Sequence, residues 1–189
     1  MKITTEVFEL IKRYEGCLLN AYKDVSGVWT IGYGHTGNVK AGDVITKAQA
    51  EALLISDIEK FERHVDTYDT KYHFNKNQYS ALVSFAFNIG NINQLTKDGT
   101  RTIAEISKKI PEYCKAGGRT LPGLVKRRNE EKVIFDRPIF TGSLDWTEET
   151  TLREVVNDIY AGKLGNGSAR KDKLFNEVQK LVNERGTKS

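Results

Sequence analysis

The chain is poor in the residues that mark several classes of protein. Among its 189 residues are two cysteines, three prolines and one methionine. Cys17 and Cys114 lie far apart in the sequence, which excludes a disulfide framework and matches no metal-ligand spacing. We therefore predict two free thiols, with a bridge between them as the alternative, and neither a metal site nor a cofactor.

Long apolar runs are also missing. No stretch approaches the roughly 20 apolar residues that a membrane-spanning helix needs. The first stretch, MKITTEVFELIKRYEG, is charged and amphipathic and lacks the apolar core of a signal peptide. We expect a protein that is made in the cytoplasm without a signal peptide and is not inserted into a membrane.

The chain has little excess charge, and that excess is unevenly placed. The net charge is +4, whereas residues 142–189 hold eight basic and eight acidic side chains. This balance excludes a basic carboxy-terminal arm, and we predict no nucleic-acid partner. The mildly basic residues 1–141 suit a polyanionic substrate, although solvated lysine faces explain the charge equally well.

What the chain does contain is typical of a globular α+β protein that is mainly α. It is 39% apolar and 29% charged. Apolar residues recur at helical spacing, with capping residues at the starts and Gly or Pro at the ends. We predict helices near residues 4–15, 46–66, 77–90 and 122–135, and one or two helices within 100–116, interrupted at Pro111. The predicted domains are residues 1–140 and a small helical module at 141–189.

A glycine-studded hairpin, KDVSGVWTIGYGH, follows the first helix. An odd-length loop centred on Gly27 would set Asp24 and Thr30 opposite each other on one face. Alternation puts Gly32 and Gly34 on that same face, which predicts a ligand lying close to the backbone. A bulge or tight bend is the alternative reason for the glycines.

Glu15 lies in the last turn of the first helix. The carbonyl end of a helix dipole disfavours negative charge, and this favours a general acid at Glu15. A water held by Asp24 and Thr30 and facing such an acid is suited to hydrolysing a glycosidic bond. The alternative is a solvated glutamate at a helix end.

Three motifs resemble the phage lysozyme family, the endolysins or muramidases of glycoside hydrolase family 24. The first is Glu15, eight residues, Asp24, five residues and Thr30, followed by IGYGH. The others are SFAFNIG at 84–90 and GLVKRRNEE at 123–131. A single such motif would be weak evidence for the family, but three motifs in the family's order make the resemblance specific. The similarity covers roughly residues 3–137.

The resemblance implies a domain of two lobes, a small one with the β-hairpin and a large helical one, joined by a long helix at 46–66. It implies hydrolysis of the β-1,4 bond between N-acetylmuramic acid and N-acetylglucosamine of bacterial peptidoglycan. Glu15 would be the acid, while Asp24 and Thr30 would position the attacking water for inversion. A monomer is expected, reaching the wall through a holin-type membrane lesion and lysing the cell.

The resemblance also implies supporting residues. One of Arg127 and Arg128 is expected behind Glu15, where it would pair with it; surface arginines paired with neighbouring glutamates are the alternative. His35 has an alternative role as a carboxylate-paired histidine that braces the small lobe. The residues expected to contact substrate are Tyr22, Gly32, Gly34, His35 and Asn88.

The tail resembles the cell-wall-binding repeat of certain pneumococcal phage lysozymes. Its segment LREVVNDIYAGKLGNGSARKDKL has a glycine-asparagine-glycine turn before a basic helix, but Leu164 replaces the repeat's usual tryptophan. Wall binding is predicted at Asp158, Asn166 and Arg170, and a purely structural helical cap is the alternative. For the whole chain, the second hypothesis is a peptidoglycan-binding protein without catalysis.

Overall fold

The computed structural model describes residues 1–139. The chain divides into two compact units, Met1–Phe135 and Asp136–Ser189. The predicted module at 141–189, with Asp158, Asn166 and Arg170, lies outside the described residues.

The described part is mainly helical, as predicted, and has two small antiparallel sheets, the first of which is the predicted hairpin. The strands pair as two hairpins, β1 with β2 and β3 with β4. A 3-10 helix at Ile110–Glu112 follows α5, so that the helical segment changes at Pro111. In chain order the elements are α1 Thr5–Glu15, β1 Leu18–Lys23, β2 Trp29–Gly32, α2 Lys47–Tyr72, α3 Lys76–Ile89, α4 Asn93–Thr96, α5 Ile103–Lys109, β3 Lys115–Ala116, β4 Arg119–Thr120 and α6 Pro122–Phe135.

Helix α1 begins and ends where its capping residues predict. The Thr4 hydroxyl accepts a hydrogen bond from the Val7 amide, which satisfies one free amide of the first turn. Gly16 closes the helix with φ of 67°, and its amide donates to the Lys12 carbonyl. Glu15 is thereby fixed as the last helical residue.

The long helix α2 connects the hairpin region to the helical region. Thr46 and Gln49 form a capping box at its start. Near that start Ala50 packs against Gly32 of β2, and further along Asp66 accepts a hydrogen bond of 2.9 Å from the Tyr79 hydroxyl of α3. The helix runs six residues beyond the predicted end at Asp66, to Tyr72.

Helix α3 is the centre of the hydrophobic core and packs against α1, α2 and α6. It begins one residue before the predicted start at 77, because the Asn75 side chain caps it by accepting from the amides of Asn77 and Gln78. Leu82, Val83 and Phe85 are buried on it, as its all-round apolar pattern predicts.

Two short elements have no counterpart in the sequence prediction. The hairpin of β3 and β4 turns at Gly117 and Gly118, whose φ angles are 55° and 76°. The other is the single turn α4.

Within residues 1–139, no helix combines the length and the hydropathy that a membrane crossing requires.

Candidate active site

The first hairpin carries Asp24 and Thr30, but its register differs from the prediction. Tyr22 pairs with Thr30, and the Asp24 amide donates to the Val28 carbonyl at 2.9 Å. The loop is therefore Val25–Gly27, centred on Ser26 rather than on Gly27. Asp24 is a diagonal neighbour of Thr30 on the same face, not its direct opposite.

The Asp24 side chain explains this register. Its Oδ1 accepts hydrogen bonds from the amides of Ser26 and Val28, both at 2.8 Å. Gly27 takes a φ of 81°, as the last residue of a three-residue hairpin loop requires. The turn thus fixes the orientation of the Asp24 carboxylate.

Thr30 is 3% exposed and donates its hydroxyl proton to the Val28 carbonyl at 3.1 Å. Because this bond uses the proton, the hydroxyl oxygen is left to act as an acceptor. Tyr22, its cross-strand neighbour, is half-buried. The structure therefore brings Asp24, Thr30 and Tyr22 together on one hairpin.

The glycine positions differ from the expected open face. Gly32 is buried, and a Cβ built there would lie 3.3 Å from the Ala50 Cβ. Close packing of β2 on α2, together with a φ of 65°, therefore requires the glycine. Gly34 is exposed, with open space beside it and φ of 96°, in the tight bend that joins Ile31 to His35. Gly32 is thus explained by packing on α2, and the contact of Gly32 and Gly34 with substrate stays a prediction.

His35 is held within the hairpin region. Its Nδ1 lies 2.7 Å from Oδ2 of Asp57 on α2, and its Nε2 lies 3.0 Å from the Gly37 carbonyl. Both ring nitrogens are thus engaged by the protein. The pair with Asp57 agrees with the carboxylate-paired, bracing histidine, and the contact of His35 with substrate stays a prediction.

Glu15 and Arg127 form the ion pair that the resemblance implies. The Arg127 Nη1 donates to the Glu15 Oε1 at 2.7 Å. The arginine side chain is 2% exposed, whereas the glutamate side chain is 24% exposed. A buried cation therefore orients a carboxyl group that solvent reaches.

Arg127 is itself held at each side of its guanidinium group. Its Nε donates to Glu131 Oε1 at 3.2 Å, and its Nη2 donates to the Ser84 carbonyl at 3.2 Å. The ring of Tyr14 lies 5.3 Å from its Cζ. The position of Arg127, and through it that of Glu15, is fixed by α3 and α6 together.

Arg128 contacts Glu131 instead. Its Nη2 donates to Glu131 Oε1 at 2.9 Å, and its Cζ lies 4.7 Å from the centre of the Phe85 ring. Burial lowers the pKa of the Arg128 guanidinium, and the charge of Glu131 opposes that effect. The alternative of two surface arginines is wrong, because both side chains are buried.

Asn88 lies at the end of α3 and is half-buried. Its Oδ1 is shielded from solvent and has no hydrogen-bond partner among the described residues. A buried amide oxygen without a donor is costly, which is consistent with an external donor such as a sugar hydroxyl.

Two residues around the site were missed from the sequence, Ser84 and Asp57, and Glu131 was expected only as a partner of surface arginines. Glu131 follows Arg127 by four positions and Arg128 by three, a helical spacing that signals pairing. The Ser84 hydroxyl on an all-round apolar helix signals a buried partner.

In residues 1–139, no group of three or more His, Cys, Asp or Glu side chains could hold a metal ion. Cys17 and Cys114 are free thiols, as predicted.

A mainly helical domain that carries this hairpin and a glutamate at the end of its first helix is lysozyme-like. A profile described as phage lysozyme matches residues 12–131. The chain is 43% identical over 148 residues to the endolysin of Lactococcus phage c2, which covers 76% of this chain and 64% of that protein. It is also 43% identical over 149 residues to the endolysin of Acyrthosiphon pisum secondary endosymbiont phage 1. That match covers 72% of this chain and 99% of that protein.

A solved structure agrees. The muramidase domain of SpmX from Asticaccaulis excentricus superposes with a TM-score of 0.64 at 32% identity, covering 72% of this chain and 99% of that one. The chain belongs to the phage lysozyme family. It spans 64% of the length of the Lactococcus phage relative.

Proposed function

We propose that the protein is an endolysin that hydrolyses the β-1,4 bond between N-acetylmuramic acid and N-acetylglucosamine in bacterial peptidoglycan. The observation that carries the proposal is the Glu15–Arg127 pair, in which a buried cation holds a glutamate whose side chain is 24% exposed. A carboxyl group so placed can meet a bound polysaccharide while its orientation stays fixed. Relatives named endolysin and a neighbour named muramidase support the same activity.

In this mechanism Glu15 donates its proton to the leaving glycosidic oxygen. Asp24 removes a proton from the attacking water, and the Thr30 oxygen accepts a hydrogen bond from that water. The two backbone amides on Asp24 Oδ1 hold the carboxylate in place for this task. Attack by water opposite the leaving group inverts the anomeric carbon.

The protein acts on the cell wall. Since its substrate lies outside the membrane, we infer that it reaches the wall from the cytoplasm through a holin-type lesion. We further propose that it acts as a monomer. Lysis of the cell follows from loss of the wall.

The first test is Glu15→Gln, compared with Glu9→Gln on the same helix. Glu9 is exposed and pairs with Lys12. We expect Glu15→Gln to lower the release of reducing ends from purified peptidoglycan by at least about 100-fold, because general acid catalysis contributes factors of this size. Glu9→Gln should keep wild-type activity, and both variants should keep the wild-type circular dichroism spectrum.

The same assay separates hydrolysis from binding alone. Wild-type protein that sediments with walls but releases no reducing ends would establish the non-catalytic alternative. Near-normal activity of a folded Glu15→Gln variant would remove Glu15 from its role.

The stereochemical outcome tests the roles of Asp24 and Thr30. Proton NMR of freshly cleaved glycan should show the α-anomer first, because inversion of a β-linkage yields α product. A first product in the β form would instead indicate a retaining mechanism, and would make the water-positioning role wrong.

A further inference from the structure

We propose that Glu131 is a positioning residue that balances the charge of Arg127, so that Arg127 orients Glu15 without removing its proton. The inference rests on the proposed function, in which Glu15 is the acid. Glu131 lies on α6 and is fully buried.

The contacts of Glu131 favour its ionised form. Its Oε1 accepts from Ser84 Oγ at 2.7 Å, Arg128 Nη2 at 2.9 Å and Arg127 Nε at 3.2 Å. Its Oε2 lies 2.8 Å from Arg128 Nε. Guanidinium nitrogens cannot accept a hydrogen bond, so a proton on Oε1 would face the donors of both arginines. Burial raises the pKa of Glu131, and the two arginines and Ser84 oppose that rise.

The charges around Arg127 explain why this anion matters. Arg127 touches two carboxyl groups, Glu15 and Glu131, and Arg128 adds a second buried cation. When Glu15 carries the proton that an acid must carry, Glu131 remains as the anion in contact with both arginines. Without it, two uncompensated cations would stabilise the Glu15 carboxylate and withdraw the proton.

Other charged and titratable groups surround this cluster without touching Glu131. Glu130 on α6 accepts from the Tyr14 hydroxyl at 3.0 Å and pairs with Arg13, both on α1. The Tyr113 ring packs against the ring of Phe85, and it is the Phe85 ring that contacts the Arg128 guanidinium. Glu130 is therefore a matched control: a neighbouring glutamate on the same helix whose partners are not Arg127 or Arg128.

The test is the pH dependence of kcat and KM for Glu131→Gln on purified peptidoglycan. We expect the alkaline limb of the kcat profile to move down by about one pH unit, because loss of one contacting charge shifts an acid on this scale. KM should stay near the wild-type value, since Glu131 is buried. Glu131→Asp keeps the negative charge, so its alkaline limb should lie close to the wild-type position.

Glu130→Gln should leave the profile in place. A folded Glu131→Gln variant with a wild-type profile, or the same shift in Glu130→Gln, would overturn the proposal. Carbon-13 NMR of labelled wild-type protein gives a measurement that needs no variant to fold. The Glu131 carboxyl should stay ionised throughout the pH range of activity, and titration within that range would also overturn it.

The two proposals fail differently. Wild-type protein that releases no reducing ends at any pH contradicts the proposed function. If the wild type is active but Glu131→Gln keeps the wild-type alkaline limb, only the role of Glu131 is contradicted.

Discussion

Gly32 and Gly34 have the same left-handed backbone but different surroundings. Gly32 lies against Ala50, whereas Gly34 has no atom within 4 Å of an added Cβ. A comparison of the two therefore separates the cost of backbone strain from the cost of close packing.

We predict that Gly34→Ala lowers the free energy of unfolding by about 1–2 kcal/mol, the cost of a left-handed non-glycine residue. Gly32→Ala should lower it by about 2–4 kcal/mol, because overpacking against Ala50 adds to the strain. Denaturant unfolding measures both values. Equal losses would show that α2 moves away from β2 at no cost.

At the residue scale, the sequence predicts the site better where spacing along the chain decides the geometry. The motif of Glu15, Asp24 and Thr30 is local, so it could be found without a structure. Which arginine meets Glu15 could not, because Arg127 and Arg128 are adjacent and point about 100° apart around α6. The packing of α6 on α3, which supplies the Ser84 carbonyl, decides the choice.

At the scale of elements, helices with strong caps and the first hairpin were predicted, whereas the hairpin of β3 and β4 was not. Capping residues at Thr4 and Thr46 fix the starts of α1 and α2 through local hydrogen bonds. β3 and β4 have two residues each, too few for a period-two pattern to appear. The one-step error in the first hairpin arose because the Asp24 side chain, and not Gly27 alone, selects the turn.

The capping box of α2 gives a prediction at this scale. Thr46→Ala should lower the free energy of unfolding by about 1 kcal/mol, since it removes the acceptor for the Gln49 amide. Thr70→Ala is the control, because Thr70 lies exposed inside the same helix and bonds to the Thr67 carbonyl at 3.4 Å. Its effect should stay within about 0.5 kcal/mol. Thermal unfolding compares the stabilities of the two variants. Equal stability would contradict a contribution from the Thr46 cap.

At the scale of the whole molecule, the charge of the chain is divided. The net charge of +4 resides in residues 1–141, while residues 142–189 are balanced. Attraction of the basic part to an anionic wall is screened by salt, whereas binding through shape and hydrogen bonds is not. Ionic strength can therefore distinguish the contributions of the two parts to wall binding.

We predict that the tail binds wall through Asp158, Asn166 and Arg170. The inactive Glu15→Gln chain should sediment with purified walls even at moderate salt, because balanced charge leaves little attraction to screen. The same variant ending at residue 139 should be released as salt rises; it retains the compact unit Met1–Phe135, and circular dichroism should confirm that it stays folded. Full-length Arg170→Ala should lose part of the salt-resistant retention. Equal retention of the long and short chains at every ionic strength would leave residues 142–189 as a structural extension, and would not alter the assignment of Glu15, Asp24 and Thr30.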